Sequence, residues 1–505
     1  MDRGGELMLS FFLPVFLILL LLGIPVFFAL LLAPGFLLWL NGQERDIALL
    51  YRNVYNGMDS FPLMALPFFM LAGEIMNRGK ITSRLVEFSQ ALMGHFRGGL
   101  AHVNILSSIL FAGLSGSAVA DTSALGSTLI PAMEKNGYSR RFAAAVTAAS
   151  SVIGPIIPPS GIMIIYAYVM GESVAALFLA GIVPGILVGA GLMAVVRLMA
   201  DRYNLPEAER IVHPDQEISR LEYWVSFVLL RLNFGGLVYA VYKLSIAIAG
   251  LSDSTALPSD MLIYLVALPV AHVILMDLRR RVSHPFRIIC KKAVAPLQTP
   301  IIILGGILIG VFTPTEASAI AVAYALIVTF FILRSMRLKD LPQVLTRSAL
   351  ASATVLLLVG ASVAFKTVVS LSHAPEHMAG FILSLSQNPL ILLFLINILL
   401  FIVGMFLDAG PAIIILGPIL APVFIELGVH PIHFAIIMSV NLTVGLATPP
   451  MGLVLFVASS VSGERVETIS RAILPFLLVE VIVIFLITYW PALSMTIPRL
   501  TGFVQ

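Results

Sequence analysis

Charge is what this sequence has least of: 11% of its 505 residues are Asp, Glu, Lys or Arg, where a soluble globular chain carries about 25%. Cysteine is nearly absent as well. The single Cys290 excludes an internal disulfide and offers no cysteine metal cluster. A G-x-x-x-x-G-K-[ST] phosphate loop is missing, so nothing points to direct ATP driving. What fills the space is apolar: 59% of residues are hydrophobic and the mean hydropathy is +1.01. These figures define an all-α polytopic membrane protein lying in the lipid bilayer. The net charge of +3 sits in a few loops, so nucleic acid is not an implied partner, and loop positives report topology instead. The apolar run from Leu9 to Leu40 is too long for a signal-peptide core and reads as a retained span broken near Pro34-Gly35.

One stretch occurs twice, at an offset of 291 residues that carries Gly113 onto Gly404 without a gap. Gly126, Pro131, Gly137 and Gly154 fall on Gly417, Pro422, Gly428 and Gly445. Pro158, Pro159, Gly161 and Pro184 fall on Pro449, Pro450, Gly452 and Pro475. Matched helix breakers in two apolar halves are the sequence signature of a transporter built from repeats, with its binding site at the breaks.

Basic loops fix the sides. Arg78, Lys80, Arg84 and Arg97 place the loop after the second span in the cytoplasm, and the N-terminus with it. The apolar segment of about 100–135 begins and ends on that side, so it is expected to be a re-entrant helical hairpin with its tip at 113–122. The segment of about 138–171 is expected to be a discontinuous helix, because Gly154-Pro155 and Pro158-Pro159 interrupt it. A hairpin at about 390–427 and a broken helix at about 432–462 repeat the pattern, flanked on the outer side by loops without Lys or Arg. Opposite charge-derived orientations make the halves an inverted-topology repeat. The expected domains are a span and outer loop at 1–60, the first repeat at 61–200 and a connection with two extra spans at 201–285. A connecting arm with two short spans at 286–345, the second repeat at 346–490 and a tail at 491–505 follow.

Glycine-rich tips and proline breaks leave carbonyls and helix-end groups without partners inside their helices. Unwound carbonyls and half-helix C-termini suit a cation. The candidate oxygens come from Ser115, Gly116, Ser117, Gly154 and Ile157 in the first half, and from Gly404, Asp408, Gly445 and Thr448 in the second, giving two expected cation sites. Close packing through Gly and Ser is the competing explanation of those residues. Asp121 with Pro158, Pro159, Pro449 and Pro450 is expected to line a substrate cavity. For Asp121 and Asp408, a role in capping a half-helix stands beside a ligand role. Glu316 reads as a turn and cap residue, and Lys366 as snorkelling toward the outer interface. His373-Ala-Pro-Glu-His377 matches H-x-x-E-H, but Pro375 opposes the helix that a zinc hydrolase would need. We therefore do not read the chain as an enzyme.

The strings LSGSAVADTSALGSTLIPAMEKNGY, IGPIIPPSGIMIIYA, GVFTPTEASAIAVAYA and GLATPPMGLVLFVA resemble the large membrane subunit of tripartite ATP-independent periplasmic (TRAP) transporters, over about 1–200 and 285–500. The resemblance implies an elevator-type secondary importer in a bacterial cytoplasmic (inner) membrane. It implies Na+ as the coupling ion, held at Ser115–Ser117, Gly154–Ile157, Gly404 and Gly445–Thr448. A small four-span membrane subunit and a periplasmic substrate-binding protein delivering an organic acid would be its partners. Two extra spans do not replace four, so a separate small subunit remains expected. A facilitative or channel-like pore without Na+ coupling is the alternative.

Overall fold

A computed structural model describes residues 15–40 apart from 17 and 21, then 44–202, 205–206, 218–248, 260–371 and 388–504, with 380, 382 and 384–386. The H-x-x-E-H stretch at 373–377 lies outside the described residues. Among the described residues, nine helices are long and apolar enough to cross a membrane, or ten if Leu50–Met58 and Phe61–Arg78, bent by 56°, form one span.

The chain opens with α1 (Val26–Leu40), α2 (Glu44–Met58), α3 (Ala65–Arg78) and α4 (Ile81–Met93). Then come α5 (Gly99–Ser115), α6 (Ala118–Lys135), α7 (Arg140–Ser151), α8 (Gly161–Met170) and α9 (Val174–Arg202). The connection holds α10 (Arg220–Ile248) and α11 (Asp260–Arg281), followed by α12 (His284–Leu308), α13 (Pro314–Ile327) and α14 (Leu341–Leu371). The second repeat holds α15 (Pro389–Phe406), α16 (Ala409–Glu426), α17 (Pro431–Gly445), α18 (Leu453–Ser462) and α19 (Val466–Tyr489), and α20 (Ala492–Leu500) ends the chain. Shifted by the repeat offset, α6 coincides with α16 from first residue to last.

The two hairpins are α5 with α6 and α15 with α16. The broken helices are α7 with α8 and α17 with α18. Local chemistry sets their ends: Gly116 closes α5 in a left-handed conformation at φ +60°, and Ser117 caps α6 by accepting from Ala120 N. Both proline pairs, Pro158-Pro159 and Pro449-Pro450, have cis peptide bonds.

Each hairpin's second arm packs on the other repeat's broken helix, α6 against α18 and α16 against α8, so the repeats interlock. The first halves of the broken helices sit at the centre. Residues 142–151 of α7 and 432–445 of α17 are all buried, as expected of helices apolar or small all round. A second layer surrounds this core, with α2 packed on α14, α3 on α13 and α4 on α12.

The arm expected at the start of 286–345 is helical and continuous with the span that follows it in α12, which carries Pro296 and Pro300 inside it. Membrane helices tolerate such prolines when neighbours satisfy the freed groups. Glu316 forms a capping box with Thr313, its Oε2 accepting from Thr313 N at 2.8 Å. Lys366 donates to the carbonyl of Val169 in the last turn of α8.

Candidate functional site

The first tip closes on the first break. Ser115 Oγ donates to Asp121 Oδ1, and Ser117 N donates to Ser115 Oγ at 3.3 Å. Asp121 is fully buried, and its other oxygen, Oδ2, has no hydrogen-bond partner. That oxygen faces the α-carbon of Gly154, where a methyl group would collide with it. The residue four positions after Gly154 is Pro158, which has no N–H to offer the Gly154 carbonyl. Gly116 likewise presses its α-carbon on the carbonyl of Pro159, so the tip backbone lies against the unwound segment. An orphaned carboxylate oxygen, a serine hydroxyl and a carbonyl that its helical partner Pro158 cannot serve fit a small hard cation here. Ile157 contributes packing by placing its side chain on Gly185.

The second tip is built differently. Asp408 is the N-cap of α16 and accepts from Ala409 N at 2.8 Å, the position that Ser117 fills in the first repeat. Gly404 and Gly445 bring the main chains of α15 and α17 into contact. Thr448 Oγ1 donates to Val444 O at 2.8 Å, and the Gly445 carbonyl accepts from Thr448 N at 2.9 Å. Oxygen here comes from carbonyls and one hydroxyl. Among the described residues no group of three or more His, Cys, Asp or Glu converges on a metal position.

The first arm of each hairpin is held to its repeat's broken helix by a buried polar network that the sequence reading missed. Asn104 Nδ2 donates to Thr147 Oγ1 at 2.7 Å, and Ser108 donates to Ser150 at 2.8 Å, joining α5 to α7. In the second repeat Asn397 Oδ1 accepts from Asn441 at 2.6 Å and from Thr488 at 3.1 Å. Ser150 and Asn441 are repeat equivalents. The signal was present as amide and hydroxyl side chains inside apolar runs, where a polar group without a partner is costly. Glu480, at the centre of the buried stripe of α19, is fully buried with both oxygens unpartnered.

Two cavities adjoin these elements. A cavity of about 1610 Å³ is lined by Pro449 and Pro450 with Arg141, Arg465 and Arg471. A groove of about 580 Å³ runs between the hydroxyl face of α6, with Ser123, Ser127 and Thr128, and Lys80 and Arg347. Asp121, Pro158 and Pro159 line neither cavity, because the tip packs directly over the first break and buries them. In the sequence Lys80 reads only as a marker of the cytoplasmic side; position in the chain does not show that it and these arginines face a cavity.

Interlocked hairpins and broken helices define a multi-pass membrane transport protein. The family described as "Tripartite ATP-independent periplasmic transporter, DctM component" matches residues 13–493, and the chain belongs to it. It is 33% identical to the C4-dicarboxylate TRAP transporter large permease protein DctM of Pseudomonas aeruginosa, over 92% of each chain. It is 34% identical to the sialic acid TRAP transporter large permease protein SiaM of Vibrio cholerae, over 95% of this chain and 96% of that one. Among solved structures, the YdaH transporter of Alcanivorax borkumensis shares the fold, with a TM-score of 0.54 and 15% identity over 88% of this chain and 89% of that one. The chain is thus a permease subunit and not an enzyme.

Proposed function

We propose that the chain is the membrane permease of a binding-protein-dependent, Na+-coupled importer of an organic acid, working by alternating access in a bacterial inner membrane with its N-terminus in the cytoplasm. The observation that carries this reading is the unpartnered, buried Asp121 Oδ2, aimed at the break beside Gly154. A carboxylate left alone at membrane depth is stabilised when a cation joins it. Ser115, Gly116, Ser117, Asp121, Gly154 and Ile157 frame the first cation position. Gly404, Gly445 and Thr448 frame the second, with Asp408 ordering the backbone as a cap. Filling both positions favours the closed tips, so ion binding and movement of the hairpins are linked.

An anionic substrate suits the larger cavity, whose wall carries Arg141, Arg465 and Arg471 against the single carboxylate of Glu467; in the groove Arg347 pairs with Glu74 at 3.4 Å, and Lys80 is the remaining cation. The relatives named for C4-dicarboxylates and for sialic acid both handle organic acids. A small membrane subunit and a periplasmic binding protein complete the assembly that the family's description as tripartite implies. Each Na+ crossing inward gains about 2.3 kcal/mol per 100 mV, so two ions can drive accumulation without a nucleotide.

The test is uptake into proteoliposomes containing the chain and its small subunit, supplied with binding protein loaded with a labelled acid. Accumulation that needs both an inward Na+ gradient and the binding protein supports the reading. Equilibration without a gradient replaces it with a facilitative pore.

A further inference from the structure

The pair α10–α11 stands outside the bundle. Only 11% of the most apolar window of each helix is buried, and α11 packs chiefly on α10. Such helices meet lipid, where a charge is costly. Yet Arg231 lies 11 residues beyond Arg220 on α10, about 16 Å along the helix. Its guanidinium is turned back toward the start of α10, 3.2 Å from the centroid of the Phe227 ring. Nη1 donates to Phe227 O at 2.8 Å, and Nε donates to His272 Nδ1 of α11 at 3.0 Å. One turn nearer the basic end, Lys291 Nζ of α12 sits 3.3 Å from the Tyr223 ring centroid. Arg279 and Arg231 are both within electrostatic range of Tyr223. Arg287 Nη1 donates to the Arg279 carbonyl at 3.2 Å, adding a further positive charge.

Two of the carboxylates nearby are already engaged. Glu222 pairs with Arg84, and Asp277 pairs with Arg281 at 2.9 Å. Among the described residues, Arg231, Arg279, Arg287 and Lys291 have no carboxylate partner. Two of these cations are held in place by aromatic rings, on a surface whose Trp224 is 55% exposed. A face that is apolar along its length, cationic at one end and aromatic between them matches the chemistry of an amphiphilic anion. The basic end is the cytoplasmic one by the same charge rule that orients the repeats.

We propose that the face of α10, α11 and α12 around Tyr223, Arg231, Arg279 and Lys291 binds the phosphate headgroup of an anionic phospholipid in the cytoplasmic leaflet. The phosphodiester sits between Lys291 and Arg279, Arg231 reaches the glycerol level, and the acyl chains run along the exposed apolar flank of α10 and α11. Basic pockets between membrane helices on this side take acidic headgroups through such contacts. The inference does not depend on Na+ coupling.

Native mass spectrometry of the full chain in detergent tests it, with added dioleoylphosphatidylglycerol, dioleoylphosphatidylcholine or inorganic phosphate as probes. The expected result is retention of the anionic lipid well above the zwitterionic one. The Arg231→Gln/Lys291→Gln double variant should weaken that retention roughly thirtyfold, as expected from removing two cations near the membrane surface, one at the phosphate and one at the glycerol level. Arg347→Gln, on another basic surface, should leave it unchanged. Equal retention of both lipids by the unmutated chain overturns the proposal without reliance on any variant. So does displacement of bound lipid by millimolar phosphate, which would make the site a free-phosphate site. Displacement by the small membrane subunit overturns it too, by making the face a protein docking surface. Loss in the double variant counts only if its melting temperature matches that of the unmutated chain, and Lys291→Gln alone then gives an intermediate loss; full retention in Lys291→Gln overturns the assignment.

Discussion

Gly445 stands with its α-carbon against the main chain of Gly404: a β-carbon on Gly445 would lie 2.6 Å from Gly404 Cα, and one on Gly404 would lie 2.7 Å from the Leu442 carbonyl. Two helices meet here with no side chain between them. Gly445→Ala and Gly404→Ala should each cost about 1–3 kcal/mol through overpacking and abolish uptake. Gly305 has open space around its α-carbon, and Gly305→Ala in α12 should be tolerated. Thermal melting with uptake separates the two cases, and an active, stable Gly445→Ala would refute the close contact.

In the first repeat the corresponding glycine, Gly154, faces a carboxylate instead. Ser115→Ala removes the hydrogen bond to Asp121 Oδ1 and one hydroxyl from the proposed cation position. The half-saturating Na+ concentration for uptake should rise about tenfold, the size expected for a charge-assisted contact. The dependence on organic acid concentration at saturating Na+ should change little.

Asp408 distinguishes a cap from a ligand. As the N-cap of α16, its replacement by Ala should lower stability by about 0.5–2 kcal/mol, while Asp408→Ser should restore most of that loss. Na+ dependence in Asp408→Ser should resemble that of the unmutated chain. A large loss of Na+ affinity with unchanged melting would instead make Asp408 a ligand.

Asn397 accepts hydrogen bonds from both Asn441 and Thr488 in the buried space between α15, α17 and α19. Asn397→Leu leaves one Asn441 amide hydrogen without an acceptor, while Asn441 keeps the Ile437 carbonyl and Thr488 keeps that of Ile484, and should cost about 1–3 kcal/mol for the group left unsatisfied. Denaturation in detergent checks it. A fall of less than about 1 kcal/mol would show that the network is dispensable.

The repeat, and with it the all-α fold, was legible because proline and glycine leave a mark that survives divergence: Pro158, Pro159 and Gly161 stand opposite Pro449, Pro450 and Gly452. The sites were legible only as regions. Nothing in spacing tells whether the carboxylate at 121 or that at 408 is spent on a backbone N–H, since each lies near the start of a half-helix. The pairing of Asn104 with Thr147 needs two helices to be laid together, and α12 is longer than a short span because its neighbours hold its charges and prolines in one helix. Lys80 carries a topological meaning in the sequence, and its place on the groove beside α6 is a second one that spacing does not show.

The central claim is that Asp121 completes a Na+ position at the first tip, and equilibrium binding of radioactive Na+ to the purified chain tests it most directly. The account predicts two saturable Na+ per chain, falling to one in Asp121→Asn with the fold intact by melting temperature. Unchanged stoichiometry and affinity in Asp121→Asn would contradict it.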